Sequence, residues 1–144
     1  MYLTREADYA VRCVLFLSRE ADRIASAGEI SKAGLIPKGF LAKILQRLAK
    51  RGIVRSTKGA AGGFALSKPP EEVCVLDVIE ALQGPFAINA CAVDENACDL
   101  SAACAVHPVW VELRQGIEER LKEETFAKLI KREKGGLTRV RKAR

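Results

Sequence analysis

A chain of 144 residues, 49% of them apolar, can bury one hydrophobic core and hardly a second. It has no run of about eighteen apolar residues, and Arg5, Glu6 and Asp8 come early, so the sequence predicts neither a membrane span nor a secretory signal and places the protein in the cytoplasm. The formal net charge of +6 is uneven: residues 1–70 carry thirteen Lys and Arg against five Asp and Glu, residues 71–130 four against twelve, and residues 131–144 seven against one, which points to a polyanionic partner for the basic half rather than to solvated charge alone.

Thr4 is suited to cap a first helix, in which Ala7, Ala10, Val11, Val14 and Leu15 recur at helical spacing and the apolar stripe continues to Leu17. Ser26 and Glu29 have capping-box spacing for a short second helix that stops at Gly34. Pro37 fits the start of a third, with Leu41, Ile44, Leu45 and Leu48 as its buried stripe. Two short helices joined by a tight turn match a helix-turn-helix. The outward face of the second carries Lys38, Lys43, Gln46, Arg47 and Lys50, residue types that reach phosphates and base edges. That pattern also occurs in proteins that never meet DNA. The next stretch is more specific: Ile53 to Ser56 and Phe64 to Ser67 can pair as strands around a glycine-rich tip. Arg55 and Lys58 bring charge to this wing, and Gly59, Gly62 and Gly63 let its backbone approach a phosphate closely.

Pro69 and Pro70 close the unit, and a helix from Val75 to Leu82 follows, with Leu76, Val78, Ile79 and Leu82 apolar and Gly84 as its stop. From residue 85 the periodicity disappears over a stretch too long for an ordinary connection in so small a domain, and such a loop needs something to hold it. Five cysteines in a reducing compartment argue against a disulfide framework. Cys13 and Cys74 lie in or beside apolar helices and read as structural. Cys91, Cys98 and Cys104, followed by His107, the sole histidine, put four soft donors within seventeen residues. Thiolates with an imidazole suit an iron-sulfur cluster or a tetrahedral zinc, and the spacing leaves both open. Inert buried thiols are the plain alternative, but this polar loop offers no apolar core to hide them. An enzyme is not expected, because no glycine-rich nucleotide loop is present and the histidine has no nucleophile and orienting acid at motif spacing.

From Pro108 the pattern is helical again, with Trp110, Leu113, Ile117 and Leu121 leading to Phe126, Leu129 and Ile130. A stripe this apolar pairs economically with its copy in a second subunit, and packing of one face back onto the first helix is compatible with that. After Lys131 the chain is basic and aperiodic, which predicts a flexible tail that adds nonspecific attraction to phosphates. The expected fold is therefore mainly α with a small β-hairpin wing. It comprises a winged helix-turn-helix over 1–84, a cysteine-rich loop over 85–107, a dimerisation helix over 108–131 and a basic tail over 132–144.

The opening YLTREADYAVR, the wing KGAAGGFALS, the helix VLDVIEALQG and the loop CAVDENACDLSAACAVHPVW, in that order and over nearly the whole chain, resemble the Rrf-type winged-helix regulators, which include IscR-like and NsrR-like iron-sulfur members. The resemblance implies a DNA-binding dimer that controls genes for cluster assembly, iron supply or stress responses. It also implies an iron-sulfur cluster on Cys91, Cys98 and Cys104, the 2Fe-2S form ahead of 4Fe-4S. Two residues compete for the fourth ligand. His107 resembles the imidazole of the IscR-like members and is the assignment here. Asp8 resembles the carboxylate that NsrR-like members donate from the partner subunit, although an acid there also stabilises the first turns of a helix. The first two cysteines stand one residue further apart than in IscR-like loops. The expected function is a DNA-binding repressor, a homodimer on a palindromic double-stranded operator with no membrane or small-molecule partner, controlled by a cluster that senses iron, redox or nitric oxide status. A regulator of the same fold with structural zinc or a thiol-based oxidant switch is the alternative.

Overall fold

The computed structural model describes the backbone of residues 3–140 and the side chains of residues 3–135. Helix α1 (Arg5–Arg19) begins at the expected cap, where the Thr4 hydroxyl accepts the Ala7 amide at 3.1 Å. It buries Ala7, Ala10, Cys13, Val14 and Leu17, and the rest of the domain is built around it. At α2 (Ala27–Gly34) the capping box is complete: Ser26 Oγ accepts the Glu29 amide, and the Glu29 carboxylate accepts the Ser26 amide. The turn that follows differs from expectation. Leu35, not Gly34, takes the left-handed conformation at φ 52° and ψ 45°. Gly34 is the buried last residue of α2, and a Cβ on it would stand 2.8 Å from Ile36 Cδ1, so this glycine serves close packing. The left-handed backbone costs Leu35 about 1–2 kcal/mol. It is held by the Ile36 amide donating to Ser31 O (2.9 Å) and Ser31 Oγ donating to Ile36 O (2.6 Å).

Helix α3 (Lys38–Lys50) buries the expected stripe of Leu41, Ile44, Leu45 and Leu48. It ends in a Schellman motif, with the Ile53 amide donating to Leu48 O (3.0 Å) and the Gly52 amide to Ala49 O (2.9 Å). Gly52 supplies the positive φ of 68°, and Ile53 is buried as the apolar contact of the motif. Strands β1 (Val54–Thr57) and β2 (Gly63–Leu66) form the wing, antiparallel, with Val54 opposite Leu66 and Thr57 opposite Gly63. Both strands lie one residue nearer the tip than the alternation suggests. Ala25 adds a third short edge by exchanging both backbone hydrogen bonds with Phe64. A 3₁₀ turn at Pro70–Glu72 leads into α4 (Val75–Gln83), which packs on α1 and α3 and stops at Gly84 with φ 79°.

The cysteine-rich stretch contains a short helix α5 (Ala90–Val93) and a 3₁₀ turn at Glu95–Ala97. Beyond it the structure corrects the sequence. The apolar stripe over 108–131 is not one helix but two, α6 (His107–Glu123) and α7 (Phe126–Val140). At the break, the Val75 amide donates to Glu124 O (2.9 Å) and the Phe126 amide to Val73 O (3.0 Å), so Cys74 and Thr125 face each other in an isolated antiparallel bridge. Phe126 is 0% exposed in the core and Leu129 packs against it. This part of the stripe folds back onto α1, where Arg19 also clasps Glu133 with two hydrogen bonds of 2.6 and 3.0 Å. The stretch from 132 expected to lack structure is helical to Val140, and residues 141–144 lie outside the described residues. Helix α6 behaves differently: none of its residues is buried, and Val109 and Leu113 are each 47% exposed. Among the described residues, no helix is long and apolar enough to cross a membrane.

Candidate functional site

The buried stripe of α3 fixes the helix so that Lys38, Lys43, Gln46 and Lys50 lie on its exposed side. Among the described residues Lys38, Lys43 and Lys50 enter no ion pair. Phe40, on the same helix, meets Tyr9 of α1 edge-on with ring centroids 5.6 Å apart, and the Arg12 guanidinium sits 5.6 Å above the Tyr9 ring. Arg47 is exposed as expected, yet its guanidinium is engaged inside the chain. Its Nη1 donates to Leu82 O at 2.7 Å and to Glu6 Oε2 at 3.0 Å.

On the wing, Lys58 is exposed at the tip, and Arg55 is exposed while its Nε donates to Leu66 O at 3.3 Å. Gly59, at the tip, has a positive φ of 108°. For Gly62 and Gly63 the structure supplies a different reason. A Cβ on Gly62 would stand 2.3 Å from Thr57 O, and one on Gly63 would stand 2.3 Å from Ala25 O. Gly62 thus lets the hairpin tip close, and Gly63 lets the Ala25 edge pair with β2, a steric role for each glycine.

In the cysteine loop the backbone runs through successive turns, in which the Ser101 amide donates to Cys98 O (3.1 Å) and the His107 amide to Cys104 O (3.2 Å). Cys98 and His107 line a cavity of about 430 Å³ together with Glu95, Asn96, Asp99, Ser101 and Ala102. Two polar atoms are buried there without a hydrogen-bond partner, His107 Nδ1 and Ser101 Oγ. An orphaned imidazole nitrogen in a cavity that a thiol also lines fits a thiolate-bound metal group in its chemistry. Ser101 was not apparent from sequence, since nothing distinguishes a serine in an aperiodic loop. Cys91 (on α5) and Cys104 are half-buried but do not line the cavity, and among the described residues no three His, Cys, Asp or Glu side chains are gathered to hold a metal. Asp8 pairs with Arg12 one turn along α1 at 2.6 Å. A further contact escaped the sequence pattern: Arg114 of α6 donates from Nη1 to Ala92 O at 2.7 Å and from Nε to Glu118 at 2.8 Å, tying the Cys91 turn to α6.

The two remaining cysteines are placed as expected. Cys13 is buried in the core, and burial pushes its thiol up to about 12. Cys74 precedes α4 and its thiol lies 3.1 Å from Asp77 Oδ2; burial, followed by the carboxylate's hydrogen bond, raises it from its ordinary value. Neither thiol is poised as a nucleophile.

The sequence profile of the Rrf2 family, described as "Iron-dependent Transcriptional regulator", matches residues 3–132. A "Putative HTH-type transcriptional regulator" of Aquifex aeolicus (strain VF5) is 36% identical over 124 residues, covering 85% of this chain and 86% of that protein. A Haemophilus influenzae protein of the same name is 34% identical over 131 residues, covering 90% and 87%. Among solved structures, T. potens IscR superposes with a TM-score of 0.74 at 23% identity, over 91% of this chain and 87% of that one. CymR, the global cysteine regulator of B. subtilis, superposes with a TM-score of 0.75 at 20% identity, over 91% and 97%. At these identities the two show that the fold is shared. The chain belongs to the Rrf2 family of transcriptional regulators.

Proposed function

We propose that the protein is a cytoplasmic homodimeric repressor whose affinity for a palindromic operator is set by an iron-sulfur cluster in the 91–107 loop. The DNA part rests on one arrangement: Lys38, Lys43, Gln46 and Lys50 on the outer side of α3, flanked by Arg55 and Lys58 of the wing. Helices of this kind enter a major groove while the wing follows the adjacent backbone. Gly62 contributes by letting the wing tip close tightly, and Gly63 by letting the Ala25 edge dock on the wing. Helix α6, with no buried residue of its own, supports pairing with a second copy, which would set two α3 helices about one DNA turn (~34 Å) apart.

The cluster part rests on the cavity shared by Cys98 and His107, with His107 Nδ1 buried and unpartnered. Cys91, Cys98, Cys104 and His107 would hold the group, with Asp8 of a partner subunit as the other candidate for the fourth position. When bound, such a cluster supplies thiolate-held iron that responds to oxidants, nitric oxide and iron supply. Because the free loop does not gather three donors, loading requires Cys91 and Cys104 to turn inward. The loop joins α4 to α6, so its order couples to the relative placement of the two DNA-binding units. The same lack of a preformed three-donor group favours the second reading, a thiol-based or zinc-bound switch on this fold. An absorption spectrum with iron, sulfide and zinc analysis, on protein purified without air, separates the two. Brown protein with equal iron and sulfide is the expected result. Colourless protein carrying zinc, or no metal, replaces the cluster reading with the second one.

A further inference from the structure

The last turn of α4 leaves carbonyl groups that no helical amide can reach. Glu80 O is taken by the Gly84 amide at 3.0 Å, and Leu82 O is taken from outside the helix by Arg47 Nη1 of α3 at 2.7 Å. The same nitrogen donates to Glu6 in the first turn of α1 at 3.0 Å. Beside this contact the Thr4 amide donates to Gln83 Oε1 at 3.1 Å, so the N-terminus of α1 and the C-terminus of α4 meet at Arg47. A cation between a helix C-terminal carbonyl and a carboxylate satisfies both, and the planar guanidinium serves two acceptors at once, as an ammonium on a flexible stem does less well. One residue past Gln83, Gly84 opens the cysteine loop, seven positions before Cys91.

We infer that Arg47 is a positioning residue: a strut that fixes the recognition helix to the root of the cysteine loop. A phosphate contact that swung Arg47 Nη1 outward would leave Leu82 O without its donor and Glu6 without its counter-ion, whereas Lys38, Lys43 and Lys50 enter no ion pair among the described residues. A shift of the α4 end is passed to α3 through a directed hydrogen bond, so the position of the loop's root and the pose of the recognition helix change together. This rests on the DNA-binding reading of α3, and the test keeps the two apart.

The test compares wild type with Arg47→Met, Glu6→Gln and Lys43→Met. Each is titrated at several salt concentrations against a duplex that the wild-type protein selects from a randomised pool and against a mixed-sequence duplex of equal length. A strut predicts that Arg47→Met reduces the preference for the selected duplex about tenfold, with the slope of log affinity against log salt unchanged. Glu6→Gln is expected to lose preference in the same direction and by less. Amide exchange at Gln83, Gly84 and the following loop residues is expected to quicken in Arg47→Met, and rescue by Arg47→Lys is expected to be partial. Lys43→Met, as a phosphate contact, is expected to lower the slope by about one. The inference is overturned if Arg47→Met lowers the slope by about one and weakens both duplexes equally, or if Glu6→Gln tightens binding by releasing the guanidinium. Unchanged exchange at Gln83 and Gly84 overturns it as well. If Lys43→Met also leaves the slope unchanged, the DNA-binding reading of α3 fails, and the exchange result still decides the strut.

Discussion

Burial keeps the Cys13 thiol protonated, with its pKa moved from 9.0 to about 12. Since the folded value is raised, the neutral form's contribution is fully present below pH 9.0 and is lost as pH climbs towards 12. Between these limits the unfolded chain has released a proton that the native state retains, so stability falls by about 1.4 kcal/mol per pH unit from this group. Urea unfolding across that window is expected to show this component in wild type and to lack it in Cys13→Ala; equal pH dependence in both would contradict the assignment. The wing glycines give a second residue-scale prediction. Gly62→Ala and Gly63→Ala each force a methyl group against a backbone carbonyl, and each is expected to cost about 1–3 kcal/mol in thermal unfolding. Gly39→Ala, whose added Cβ would meet nothing within 4 Å, serves as the tolerated control.

At the scale of elements, the parts that could be read from sequence were those fixed by neighbours along the chain. The capping box Ser26 to Glu29, the Thr4 cap and the leucine stripe of α3 all depend on residues three or four positions apart, and each appears where the spacing puts it. The parts that could not be read depend on distant backbone. The break between α6 and α7 is made by Val73 and Val75 pairing with Glu124 and Phe126, about fifty positions away, and helical periodicity carries no trace of it. The five-residue step from Leu121 to Phe126 was its one local sign. Likewise a helical wheel puts Arg47 on the outer face but cannot say that its guanidinium turns back to Leu82 O. The cysteine spacing announced soft ligands, while their arrangement in the loop depends on turns that no period describes. Phe126 now belongs to the core, so Phe126→Ala is expected to destabilise the domain by about 3–5 kcal/mol in chemical denaturation. A loss under 1 kcal/mol on that scale would mean that α7 packs elsewhere.

For the whole molecule, the two halves of the C-terminal stripe have separate tasks. Helix α7 completes the core through Phe126 and Leu129, and in the proposed dimer α6 would offer Val109, Leu113 and half-buried Trp110, Ile117 and Leu121 to a second copy. Leu113→Asp is therefore expected to yield a folded monomer by sedimentation, with unfolding temperature near that of the wild-type subunit, because no residue of α6 is buried in its own chain. A variant that remains dimeric would move the interface elsewhere. In the proposed mechanism the state of the cysteine loop governs operator affinity. Its most direct test is titration of the selected duplex, without air, with the protein as purified and with the variant carrying Cys91→Ser, Cys98→Ser and Cys104→Ser. Affinity for the selected duplex is expected to change between the two by about tenfold or more, while the salt dependence of binding to mixed-sequence DNA stays the same. Equal affinity for the selected duplex, under reducing and oxidising conditions alike, would contradict it.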